Sequence, residues 1–103
     1  MSSRKSFALS LSTKARQDFV DILRYTGETW GQNQLFVYRD KIDEALQTIR
    51  HNPMLGHRRD DLPATHLIYP VGSHVIIYRT QADKIAVLRI LHQRMSLAKG
   101  LLR

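Results

Sequence analysis

The spacing of hydrophobic residues changes period along this chain, and each change predicts an element. Phe7, Leu9 and Leu11 alternate with Ala8, Ser10 and Ser12, the period-two pattern of a half-buried strand. Ser12 or Thr13 then stands where a helix N-cap belongs. From Ala15 the period is helical: Ala15, Phe19, Ile22, Leu23, Thr26 and Trp30 share one side, with Gln17, Asp21, Arg24 and Glu28 opposite. Gly27 is a weak point in this helix, and Gly31 supplies its stop. Leu35, Tyr38, Ile42, Ala45, Leu46 and Ile49 form the stripe of a second helix. Asn52-Pro53 ends it, because a residue before proline is pushed out of the helical region. So short a connection makes the pair an antiparallel αα-hairpin. Phe36 and Val37 lie off the stripe; Phe36 is expected to pack against the first helix and Val37 to be exposed.

Residues 54–65 read as a loop in which Arg58 and Arg59 adjoin Asp60 and Asp61. Three β-branched and aromatic runs of strand length follow, at 66–73, 74–79 and 84–92, separated by short turn signals. They predict an antiparallel meander. Strand, two helices and three strands in that order indicate an α+β fold, with the helical hairpin on one face of the sheet and one domain over residues 1–103. Leu97, Ala98, Leu101 and Leu102, interrupted by Gly100, fit either a short helix or a tail.

The chain has no cysteine, which excludes a disulfide scaffold, a thiol nucleophile and a thiolate zinc site. No apolar run approaches the ~20 residues that span a bilayer, and no signal-peptide core follows Met1. The expectation is a cytoplasmic protein without membrane contact. Its net charge is +7, unevenly distributed. Arg4, Lys5, Lys14 and Arg16 precede the first acid, and Lys84, Arg89, Arg94, Lys99 and Arg103 follow the last. Basic ends of this kind suit an anionic partner, either nucleic acid or an acidic protein segment.

Candidate chemistry is sparse. No two of the five histidines have helical metal-ligand spacing, so neither a metal nor another cofactor is expected; His66 and His74 are expected to approach across a hairpin. There is no Gly-x-Ser-x-Gly elbow and no glycine-rich phosphate loop. The carboxylates Asp18/Asp21 and Asp40/Asp43/Glu44 fall on what reads as solvated helix surface. Metal-free RNA cleavage has candidates in His92, Tyr78, Arg79 and Arg89: an acid–base pair and cations for the phosphorane. Strict alternation, however, points Arg89 and His92 to opposite faces of their strand and puts His92 beside Leu88 and Ile90, a structural setting. A basic surface with Tyr69 and Tyr78 interleaved suits nucleic acid, and equally an acidic peptide that orders on contact. Patterning alone does not separate the two.

Taken together, Leu11-Ser12-Thr13-Lys14-Ala15, Tyr25, Trp30-Gly31, Leu35, Tyr38, residues 52–57, 59–62, 70–79 and 89–95 resemble a ParE toxin of the RelE/ParE toxin–antitoxin superfamily. The resemblance covers Leu9 to Ala98. It implies a helical hairpin on an antiparallel sheet, and a non-enzymatic type II toxin that inhibits DNA gyrase. It further implies neutralisation by a ParD-like antitoxin through an acidic C-terminal segment, with DNA met only indirectly through that antitoxin. The alternative is a RelE-type ribosome-dependent mRNA endonuclease, whose tail tyrosine and Lys-rich sheet this chain lacks. Target contact is expected at Arg89, His92, Arg94, Met95 and Leu97. Antitoxin contact is expected at Phe36, Val37, Tyr38, Arg58, Arg59 and Arg79, with Tyr38 also on the core stripe.

Overall fold

The computed structural model describes residues 7–102, so Arg4, Lys5 and Arg103 lie outside the described residues. Strand β1 (Ala8–Leu11) leads into helices α1 (Thr13–Trp30) and α2 (Gln32–His51). A 3-10 turn (Pro53–Leu55) and a loop then reach β2 (Leu67–Val71), β3 (His74–Gln81), β4 (Lys84–His92) and a short helix α3 (Leu97–Leu102). Ser12 is the N-cap of α1, its hydroxyl accepting from the Ala15 N–H. Only Gly31, at φ 96, separates the two long helices. That left-handed φ is open to glycine at little cost, and it reverses the chain within one residue.

The strand order is β1-β4-β3-β2. The helical hairpin crosses one face and delivers the chain to the far edge. The meander then walks back until β4 lies parallel to β1, with Leu9 opposite Ile85. The last strand is therefore central, with a neighbouring strand on each side. This placement decides the environment of everything on β4.

Two apolar layers enclose the sheet. Ile22, Ile42, Ala45, Leu46 and Ile49 pack onto Ile76, Tyr78, Ile85, Val87 and Ile90. On the opposite face Leu97 of α3 and Leu62 of the loop cover Val75, Ile77 and Leu91. Gly100 lets α3 dock, because a Cβ there would lie 2.5 Å from a Leu91 methyl. The C-terminal stretch is thus a helix closing the second layer. The register between β3 and β4 slips where Ile77 faces Arg89 but Tyr78 faces Val87. Leu88 is the extra residue of this bulge, and it joins the second layer while Ile90 joins the first.

Several helix positions differ from the pattern. Trp30 is 70% exposed although it completes the stripe of α1, because the helix ends there, beyond the sheet. Phe36 is exposed, with the Arg39 guanidinium over its ring at 5.1 Å, instead of packing on α1. Val37 is exposed as its phase indicates.

Candidate functional site

β4 extends past the end of β1, so from Leu88 onward one side of the strand lacks a neighbouring strand. The start of α1 takes its place. The Ser12 hydroxyl donates to the Leu88 carbonyl at 2.7 Å, and the Ile90 N–H donates to Asp18 at 3.0 Å. Asp18 also receives Arg89 in a two-pronged pair, Nε at 2.7 Å and the second terminal nitrogen at 2.8 Å. The remaining terminal nitrogen donates to the Gly100 carbonyl at 2.6 Å. Arg89 is 7% exposed, and these bonds hold it protonated more firmly than usual against the opposing pull of burial. Two expectations are corrected here. Asp18 is not a solvated carboxylate, and Arg89 is not displayed to a target.

Other named positions are similarly committed. Leu97 is 1% exposed, inside the second layer and not available to a target. Tyr78 is fully buried, its hydroxyl donating to the Pro53 carbonyl at 2.6 Å. Arg79 alternates with Tyr78 and sits exposed on the other face. His92, Tyr78, Arg79 and Arg89 therefore do not converge on one phosphate. His66 and His74 lie at opposite ends of the β2–β3 pairing, since Val71 pairs with His74 and Leu67 with Tyr78. Among the described residues no three His, Asp or Glu side chains gather as metal ligands, and no helix is long and apolar enough to cross a membrane.

What the fold does assemble is a groove beside α1, at the end of the sheet where β3 begins and β4 finishes. His74 lies directly opposite His92, their rings edge to face with centroids 5.2 Å apart. The Tyr38 hydroxyl is 2.7 Å from His74 Nδ1 and accepts the Ser73 N–H at 3.0 Å. Tyr38 thus ties α2 to the β2–β3 turn. Gly72, at φ 57, is required there, since a Cβ would meet the Tyr38 hydroxyl at 2.6 Å. The Arg94 N–H donates to His92 Nδ1 at 3.1 Å, so the turn after β4 places Arg94 at the rim. Exposed Tyr25 and Trp30 flank this histidine pair. The groove comprises two hollows of about 570 and 370 Å³ that share Tyr25, His74 and His92. Met95 lines the smaller one. Tyr25 and Trp30 were missed as site residues because helical phase assigns a residue to a side, not to a helix end.

Of the antitoxin set, Phe36 and Val37 are exposed on α2, and Tyr38 is half-buried against His74. Arg58 donates to the Ala64 carbonyl, and Arg59 pairs with Asp61 at 2.9 Å.

Burial, with His92 adding to it and Asp18 opposing, lowers the His74 pKa to about 4. His74 is then neutral in the folded state where an unfolded histidine, near 6.5, takes up a proton. The unfolded chain binds more protons between those values, so stability is full above about pH 6.5 and is lost progressively toward pH 4. We expect the urea midpoint of a His74→Phe variant to lose this part of its pH dependence. Parallel pH profiles for parent and variant would contradict the assignment.

Over residues 9–97 the chain matches the family described as ParE toxin of type II toxin-antitoxin system, parDE. It is 31% identical over 86 residues to Toxin ParE1 of Caulobacter vibrioides, covering 84% of this chain and 88% of that protein. It is 30% identical over 92 residues to Toxin ParE1 of Mycobacterium tuberculosis, covering 88% and 94%. In structure it resembles a chain of the chromosomal ParDE TA system from P. aeruginosa, with TM-score 0.73, 17% identity and coverage of 84% of this chain and 96% of that one. A second likeness is to the toxin-antitoxin complex RelBE2 from Mycobacterium tuberculosis, with TM-score 0.60, 17% identity and coverage of 86% and 100%.

Proposed function

The chain belongs to the ParE toxin family of type II toxin–antitoxin systems, and from that membership we propose that it inhibits DNA gyrase in the cytoplasm by protein–protein contact. One observation carries the non-enzymatic reading. Two of the four side chains an RNA-cleaving centre would need are spent internally, Tyr78 on Pro53 and Arg89 on Asp18, and the exposed Arg79 stands apart from His92, while Arg94 is exposed with no ion pair among the described residues. The target-facing set is then Arg94, His92 and Met95 at the exit of β4, flanked by Tyr25 and Trp30. Exposed aromatic side chains beside an arginine are the composition of binding hot spots.

A ParD-like antitoxin neutralises the toxin in this reading. The solved likenesses come from toxin–antitoxin assemblies, which supports such a partner. Phe36 and Val37 supply exposed apolar contacts, with Tyr38 behind them, while Arg58 and Arg59 supply charge toward an acidic segment.

Arg94→Glu is expected to abolish growth arrest on induction while leaving the thermal midpoint within about 2–4 °C of the parent, since exposed substitutions rarely shift stability by more than ~0.5 kcal/mol. In vitro, the parent should block gyrase supercoiling and the variant should not. Cleavage of translated mRNA with supercoiling intact would instead establish the RelE-type endonuclease.

A further inference from the structure

α3 and Leu62 cover only part of the second face of the sheet. Toward the β3–β4 turn the described residues leave that face open, with Ser10, Arg79, Gln81 and Lys84 all exposed. There Ser10, Ala86 and Arg79 lie side by side on β1, β4 and β3, and Ala8, Lys84 and Gln81 form the next row. These residues alternate with Leu9, Ile85, Val87 and Tyr78 of the first layer, so they point away from the helices. The floor is small (Ala8, Ser10, Ala86) and the groups rising from it are cationic or amide. Neither Arg79 nor Lys84 has an ion-pair partner among the described residues. His66 borders the window, its pKa lowered by burial and further by the Arg79 charge nearby. Asp83 lies in the adjoining turn, and Asp61 of the preceding loop is bound to Arg59.

We propose that this window binds the phosphodiester backbone of duplex nucleic acid without reading its sequence. Arg79 and Lys84 are diagonal cross-strand neighbours, a relation that sets them ~7–8 Å apart. Two cations at that separation can each meet a phosphate of the same duplex strand, whose charges follow one another closely along the backbone. The small floor lets a broad cylinder approach both cations. An amphipathic peptide would need apolar pockets, and the window offers none. Among the described residues it carries no Phe, Tyr or Trp, and the His66 imidazole lies only at its border, so bases of a single strand find little to stack on. The contact is direct and separate from any DNA held through an antitoxin.

The experiment is fluorescence anisotropy of a labelled 20-base-pair duplex titrated with the purified full chain at several salt concentrations. Binding should be independent of sequence, and Arg79→Glu/Lys84→Glu should weaken it at least tenfold and flatten its salt dependence. A control with the same charge change on α2, Arg39→Glu/Lys41→Glu, should weaken it less than threefold. Equal losses in the two variants would mean net charge alone attracts DNA and would overturn the proposal. So would poly-glutamate binding tighter than duplex with the same sensitivity to Arg79 and Lys84, which would make the window a site for acidic protein. Circular dichroism confirms that both variants remain folded, and single Arg79→Gln and Lys84→Gln changes replace the pair if they do not.

Discussion

Replacing Asp18 with alanine is expected to destabilise the domain by about 3–5 kcal/mol, because it leaves a buried guanidinium without its counter-charge. Three bonds disappear together: two from Arg89 and one from the Ile90 N–H, which has no strand to pair with on that side of β4. A domain of this size has about 5–15 kcal/mol in total, so the loss is a large share of its stability. In urea, with a slope of about 1–3 kcal/mol per molar, the midpoint should fall by roughly 1–5 M. Asp18→Asn should fall between parent and alanine, since its amide oxygen still accepts from Ile90. The double change Asp18→Leu/Arg89→Met should recover much of the loss, because an apolar pair of similar volume removes the stranded charge. A drop below 0.5 kcal/mol for Asp18→Ala would show that the pair does not hold α1 to β4.

The second large effect is expected at Leu97. This side chain is fully buried against the far face of the sheet, so Leu97→Ala should cost about 2–5 kcal/mol, a transfer loss plus a cavity. For a domain of ~100 residues a loss of 3 kcal/mol lowers the melting temperature by roughly 12–24 °C. Toxicity should fail with it and return when the culture is grown cold, as expected of a folding defect. Loss of toxicity at an unchanged melting temperature would return Leu97 to the set of target contacts. Arg94→Glu, two residues from the close of β4, is expected to show the reverse: normal stability and no toxicity.

The contrast between these two positions marks the boundary of what patterning conveys. Hydrophobic period is a local quantity, and it located both helices, the strands and the face of α2 that meets the sheet. Ile42, Ala45, Leu46 and Ile49 are buried in the order their spacing requires. The exposure of Val37 followed from the same phase. Composition likewise excludes thiol and disulfide chemistry, since the chain has no cysteine.

Strand order is a different kind of information, because it depends on which segments pair across 70 or more residues. Nothing in Lys84–His92 says that Ala8–Leu11 will lie beside it, or that β1 will stop at Val87 and leave Asp18 to complete the pairing. Arg89 reads as a surface cation by residue type and becomes an interior one only because β4 is central. The pairing of His74 with His92 in place of His66 is also a matter of register. Local side-chain preference thus determined what each segment is. Long-range pairing, whose free energy lies in contacts between distant residues, decided which cations remain free to meet a partner.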